Sequence, residues 1–367
     1  MYKILASSAI AFFIFFGDIQ AQETATNERK ILTEKAYVLF QQGKLDEAIK
    51  IAEKVVKLEK TSNQTDTSSY VNALVNLARM KRDAFLLLRN KLVSGKTPPS
   101  EREAARKKMS ENAKAAEDSF REALQLNEPG SRTQTALTAD VKSDLAWLVY
   151  NYIPTDGKPS VANTRARIDE AEKLFIEAVT LNEQIRGTEA DETLFVVLGA
   201  GNFYLNYHNF EKALPYYERY IQTNEKTHGK NYPNLVNALR PYAKILFATF
   251  QDQESAAAVK RIEEIIGQKE DLPKDDLSFH LRSKDSVAFS VAFFMQKSMT
   301  SGKKFERVFV KVVVDENGKV VEAVAETKDK KLREKAEQEI SKWTVRPFSY
   351  NNVTRKMRGY LYYLEER

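Results

Sequence analysis

The chain reads as a mainly α protein: a run of stacked helix-turn-helix units followed by a small α+β module of strand, strand, helix and strand. Three observations predict this. A triad of apolar residues at spacings of four and three recurs along the chain, which places each triad on one face of a helix. Only 13 glycines and 10 prolines occur in 367 residues, too few for a multi-strand protein built on tight turns. From Phe305 the apolar period switches from helical to alternating.

Taken in order, the chain opens with Lys3 and an apolar run from Ile4 to Gly17, followed by Asp18 and "IQAQE". A short basic start, an apolar core and an alanine near its end have the form of a secretory signal peptide over residues 1–21, cleaved after Ala21. The run is shorter than the ~20 residues a spanning helix needs. Retained, it would act as an anchor. There is no cysteine, so disulfides, thiol nucleophiles and cysteine metal sites are excluded. The expected location is periplasmic or otherwise exported, with an inner-membrane anchor as the alternative.

From residues 29 to 267 helical periodicity is broken by short polar loops. The triads are Ala48, Ala52, Val55; Ala116, Phe120, Ala123; Ala171, Phe175, Ala178; Ala213, Tyr217, Tyr220; and Ser255, Val259, Ile262. Their lead residues lie 68, 55, 42 and 42 apart, a repeat with insertions toward the N-terminus. A small residue also stands twelve before the lead at Ala36, Gly201 and Ala243, as two closely crossing helices require. These positions are expected to form the core of the stack.

The segments "AYVLFQQGKLDEAIKIAEKVVKLEK" and "GAGNFYLNYHNFEKALPYYERYIQTNE" resemble tetratricopeptide repeats, with Gly43 in one turn and His208 at the matching place in the other. "YAKILFATFQDQESAAAVKRIEEI" is similar in a degenerate form. The resemblance implies an α-solenoid whose first helices line the concave surface. The outward residues there are Tyr37, Phe40 and Gln41 in one unit and Asn202, Leu205 and Asn206 in another, and these are candidate partner-binding residues. A carboxamide both donates and accepts, which suits an extended peptide backbone.

Residues 268–302 read as a polar, proline-punctuated linker holding one apolar segment, residues 286–299, with no resolved helix or strand preference. Beyond it, Val308, Val310, Val312 and Val314 alternate onto one face, and Asn317-Gly318 predicts the hairpin turn, since both residues tolerate positive φ. Lys319 to Glu326 is the expected return strand. Leu332, Ala336, Ile340 and Trp343 form a helical stripe, and "VTRKMRGYLYYLEE" supplies the third strand.

This order, with "VVDENGKV" in the hairpin and "KWTVRPF" after the helix, resembles the TonB C-terminal domain over residues 303–367. The resemblance implies periplasmic contact with outer-membrane or envelope proteins, partly by pairing of an edge strand with a partner segment. The last strand, Val353 to Leu364, is the expected edge. On it Lys356, Arg358, Tyr360 and Tyr362 share one face and are the second set of candidate partner-binding residues. Arg355, Met357, Gly359, Leu361 and Tyr363 face the helix.

Residues 301–367 hold 16 Lys and Arg against 11 Asp and Glu, so +5 of the net +6 lies there, yet no nucleic-acid-binding motif accompanies it. The histidines, His208, His228 and His280, have no metal-ligand spacing. No phosphate-binding loop, dinucleotide fingerprint or nucleophile motif is present. The expected function is a non-catalytic protein-interaction scaffold that binds peptide or protein partners, without cofactor, metal or nucleic acid. A TonB-like energy transducer, held by an uncleaved N-terminal segment, is the alternative.

Overall fold

The computed structural model describes residues 20–61, 67–94, 97–127, 135–152, 161–207, 209–267, 305–344, 347–350 and 353–366. The run up to residue 19 that is expected to be a signal peptide, His208, and the expected linker with its apolar segment lie outside the described residues. The chain divides into two compact units between Leu126 and Asn127.

The first unit holds two helical hairpins, α1 (Gln20–Gln41) with α2 (Leu45–Lys60) and α3 (Ser68–Val93) with α4 (Arg102–Leu126). The second holds three, α5 (Thr135–Asn151) with α6 (Val161–Arg186), α7 (Asp191–Asn206) with α8 (Phe210–His228), and α9 (Val236–Ala248) with α10 (Asp252–Ile266), followed by the terminal module. The irregular intervals come from longer helices: α3, α4 and α6 run 25 or 26 residues.

Every one of the fifteen triad residues is buried, and each triad lies on the second helix of its hairpin. The residues twelve before the lead are buried too, Ala36 and Ala243 at 2% exposure. The close crossing is visible where Ser255 Oγ donates to the carbonyl of Ala243 at 2.9 Å, side chain of α10 to backbone of α9. At Gly201 an added Cβ would stand 3.2 Å from Tyr216 Cβ and 3.2 Å from the Tyr217 ring. Glycine here serves helix contact.

The turns of three hairpins share one six-to-one hydrogen bond. In the first, Lys44 N–H donates to Leu39 O and Gly43 N–H to Phe40 O, both at 2.9 Å. Gly43 is left-handed with φ 75. This six-to-one and five-to-two pattern is a Schellman close. In the fourth hairpin Asn209 N–H donates to Tyr204 O, and in the fifth Gln251 N–H donates to Leu246 O, each at 2.9 Å.

Between the fourth and fifth hairpins a 42-residue translation repeats down to individual polar contacts. Arg219 pairs with Glu183 at 2.5 Å and donates to Thr188 O, while Arg261 pairs with Glu225 and donates to Lys230 O. Each arginine reaches from one second helix to the preceding one and to the loop behind it. Both pairs are less than one-third exposed, so they are more than surface decoration.

In the terminal module β1 (Phe305–Val314) pairs with β2 (Val320–Ala325) and β5 (Met357–Glu366) in one antiparallel sheet of order β2-β1-β5. Helix α11 (Lys330–Ile340) covers one face, and Asp329 caps it by accepting from Leu332 N–H at 3.1 Å. Val308, Val310, Val312, Val314, Val320, Leu332, Ala336, Ile340 and Leu361 form the core, with Trp343 and Tyr363 against it. The alternation expected from the sequence holds on β1, whereas β2 buries only Val320 and Ala325, at its two ends.

Two expectations are corrected. The hairpin does not turn on two positive-φ residues: only Gly318 is left-handed, at φ 81. The Asp315 carboxylate accepts from the backbone N–H of Asn317 at 2.9 Å and of Lys319 at 2.8 Å, and the ladder shifts register between Val313 and Val314. The result is a three-residue turn closed by a glycine bulge. The third strand is also not continuous from Val353. The β1 ladder ends at Val314 opposite Met357, so the preceding residues have no neighbour in the sheet. Their backbone is satisfied instead by β4 (Val353–Arg355) folding on β3 (Phe348–Tyr350), with Lys356 between β4 and β5.

Replacing Gly201 by valine is expected to lower stability by at least about 2 kcal/mol, because overpacking a close helix crossing outweighs the ~0.5–1 kcal/mol gained by leaving glycine. Thermal unfolding checks this, and Gly187→Val, at a glycine with nothing near its Cβ position, separates packing from backbone strain.

Candidate functional site

The candidate residues fall into three groups. On α1, Tyr37 is half-buried and its hydroxyl accepts from Gln41 Nε2 at 2.5 Å, one turn on. Phe40 packs its ring partly on the core of Ala36, Leu39, Ala48 and their neighbours. Gln41 is exposed. The helix therefore presents Tyr37 and Gln41 as one joined polar edge.

On α7, Asn202 is half-buried and its Oδ1 accepts the Tyr217 hydroxyl at 2.8 Å. Leu205 is half-buried and Asn206 exposed. Seven residues before Asn202, on the same face, stands Phe195 at 63% exposure. It is the most exposed large apolar side chain among the described residues. Sequence reasoning missed it; stepping back two turns from Asn202 would have found it.

Behind this face lies a band of aromatic rings. Phe203 meets Phe175 at 5.3 Å, Tyr150 at 5.5 Å and Tyr207 at 5.0 Å, while Tyr204 stacks on Tyr216 at 5.6 Å. Tyr204 OH donates to Glu172 at 2.9 Å, and Lys212 Nζ reaches the same oxygen at 2.5 Å. Burial pushes the Glu172 carboxyl up, but the Lys212 ammonium and the Tyr204 hydroxyl prevail and hold it below the usual carboxylate range. The helix face α6 presents beside it is a shallow groove lined by Asp169, Glu172, Lys173, Ile176 and Glu177. Among the described residues no group of histidines and carboxylates is placed to hold a metal ion.

In the terminal module β5 lies at one edge of the sheet among the described residues. Tyr360 and Tyr362 pair through their backbones with Lys311 and Phe309; their rings fall outside the described residues. Lys356 is exposed in the break before β5. Arg358 leaves the sheet face opposite α11 and reaches the fifth hairpin. Its Nε donates to Phe247 O at 2.8 Å, its guanidinium lies 3.6 Å from the Phe247 ring centre and 4.7 Å from that of Phe250, and it pairs with Asp252. This cradle was not foreseen. Phe250 occupies the turn place of Gly43, so an aromatic where glycine belongs was the available signal.

Residues 30–62 match the tetratricopeptide repeat family. Among solved structures, a Podosopora anserina putative kinesin light chain with nearly identical TPR-like repeats is similar at 15% identity, over 65% of this chain and 95% of that one, with a TM-score of 0.44. BtubC (BKLC) from P. vanneervenii is similar at 15% identity, over 72% of this chain and 94% of that one, with a TM-score of 0.46. No curated protein sequence matches the chain.

The buried tyrosines make stability fall at high pH. Burial raises the Tyr217 and Tyr204 hydroxyls well above 10 and Tyr220 to about 12. A raised folded pKa leaves stability intact below the unfolded value of about 10 and erodes it as pH climbs toward the folded values. Unfolding free energy is expected to drop by up to about 1.4 kcal/mol per pH unit per tyrosine above pH 10. Urea titrations at pH 8 to 11.5 check this, and Tyr217→Phe should flatten the slope. The first helical hairpin, closed by the left-handed Gly43 turn, is the part of the chain that matches the tetratricopeptide repeat family, over residues 30–62.

Proposed function

We propose that this chain is a non-catalytic, exported scaffold whose outward first-helix faces bind an extended protein or peptide segment. The observation that carries the reading is Phe195, an aromatic ring left 63% exposed on α7. It shares its helix face with Asn202, Leu205 and the exposed Asn206. An apolar anchor flanked by carboxamides suits a partner that supplies both a side chain and unpaired backbone amides. Tetratricopeptide repeats generally mediate protein–protein interaction, which agrees. Helix α1 offers a smaller version of the same chemistry through Tyr37 and Gln41.

In the terminal module β1, β2, α11 and the edge strand β5 follow one another with β3 and β4 inserted before β5, and the resemblance of its sequence to the TonB C-terminal domain rests on the expected strand-strand-helix-strand order. Pairing of β5 with a partner segment is accordingly the second contact we assign to the scaffold, at the cell envelope. The apolar run at residues 4–17 motivates the exported location.

Purified protein immobilised against an envelope extract is the test. Phe195→Glu with Leu205→Glu should abolish at least one partner that the wild-type protein retains, with helical content unchanged by circular dichroism. An identical set of bound proteins would remove the α7 face from the function.

A further inference from the structure

Phe250 is the one non-glycine residue with positive φ among the described residues, at φ 58. It stands seven residues after Ala243, as Gly43 stands seven after Ala36, and the hydrogen bonds of the two turns correspond one to one. A left-handed conformation costs an L-residue with a Cβ about 1–2 kcal/mol that glycine does not pay. Such strain persists where surrounding contacts over-determine it. Here the contact is visible: the Phe250 ring, still 42% exposed, lies against the Arg358 guanidinium.

We propose that Phe247, Phe250 and Asp252 form a guanidinium-binding site at the end of the helical array, and that Arg358 is its resident ligand. Each group of the cradle suits a planar cation. Phe247 and Phe250 supply two π-faces within the ~6 Å over which cation–π attraction acts. Phe247 O, a carbonyl at the negative end of α9, accepts the Nε proton, and the Asp252 carboxylate takes a terminal N–H. Stacking and directional donation at once require a guanidinium; an ammonium presents neither a plane nor a fixed fork. Arg358 is three-quarters buried along its side chain as a result.

The site also has a functional position. Phe247 lies four residues after Ala243, as Phe40 lies four after Ala36 and Leu205 four after Gly201. It is the fifth hairpin's counterpart of residues that the scaffold reading, on which this step rests, assigns to partner binding. The terminal module thus occupies in cis the partner face of the last hairpin. The arginine latch itself requires no partner.

The chain has no cysteine, so Lys260→Cys on α10 and Lys330→Cys on α11, both on exposed side chains, give a specific donor–acceptor pair for single-molecule energy transfer in the full chain. The wild-type background should show one narrow high-transfer population. Arg358→Ala, Arg358→Lys and Phe250→Gly should each replace it with a broader, lower-transfer one. Phe250→Gly relieves the turn, so its thermal stability should be kept or raised while the latch is lost, which separates release from misfolding. A narrow high-transfer population in Arg358→Lys would show that charge alone holds the module, and the same result in Phe250→Gly would show that the strained ring holds nothing. Either outcome overturns the proposal while leaving the α7 face untouched.

Discussion

The close crossing of the two helices, seen at Gly201 in the fourth hairpin and at Ala243 with Ser255 in the fifth, is the constraint on which the rest depends. Two helix backbones come near enough for a serine hydroxyl on one to reach a carbonyl on the other only if both present small residues there, as Ala243 and Ser255 do. At Gly201 even a methyl group would press on Tyr216 and Tyr217. That crossing sets which face of each second helix turns inward, and the large triad members, Phe120, Phe175 and Tyr217, fill the space the small ones open. It also sets which face of each first helix is left outside. The outward residues of α1 and α7 are therefore a consequence of Ala36 and Gly201, not an independent choice.

The repeat was legible because its signal is local and periodic. Spacings of four and three survive insertions in the loops, so all five triads could be read despite intervals of 68 and 55 residues, and all five are buried. The alternating valines of β1 were legible for the same reason. What was not legible required knowing two places at once. Arg219 and Glu183 lie 36 residues apart on successive second helices, and in the sequence each looks like an ordinary surface charge. The hairpin turn was misread because Asn317-Gly318 scores well in isolation, whereas Asp315, two residues earlier, captures the backbone amides and selects a different turn. On α7 the carboxamides Asn202 and Asn206 were named from the sequence, and the exposed Phe195 two turns before Asn202 was not.

The terminal module shows how one face of a sheet can be read correctly for composition and still be incomplete for role. Its inner face, with Met357 and Leu361 at 4% and 3% exposure, packs as alternation predicts. On its outer face Lys311 pairs with Glu326 at 2.8 Å beside the exposed Phe309, an ordinary mixed surface. Arg358 is the exception because a residue 111 positions away supplies its acceptor. No periodic reading of a strand carries that information.

Phe250 reverses the usual direction of such reasoning. The Schellman turn fixes a left-handed residue at the same place in the first and fifth hairpins, and the first hairpin meets the demand with Gly43. A chain that can place glycine there in one unit and phenylalanine in another gives up turn stability for something the ring provides. Phe250 is 42% exposed, so burial in the hairpin's own core is not that gain. Among the described residues the cation stacked on it, Arg358, belongs to β5 of the terminal module. Strain in the last turn of the array and a guanidinium leaving the sheet are thus two halves of a single contact, and each explains a residue that its own domain leaves unexplained.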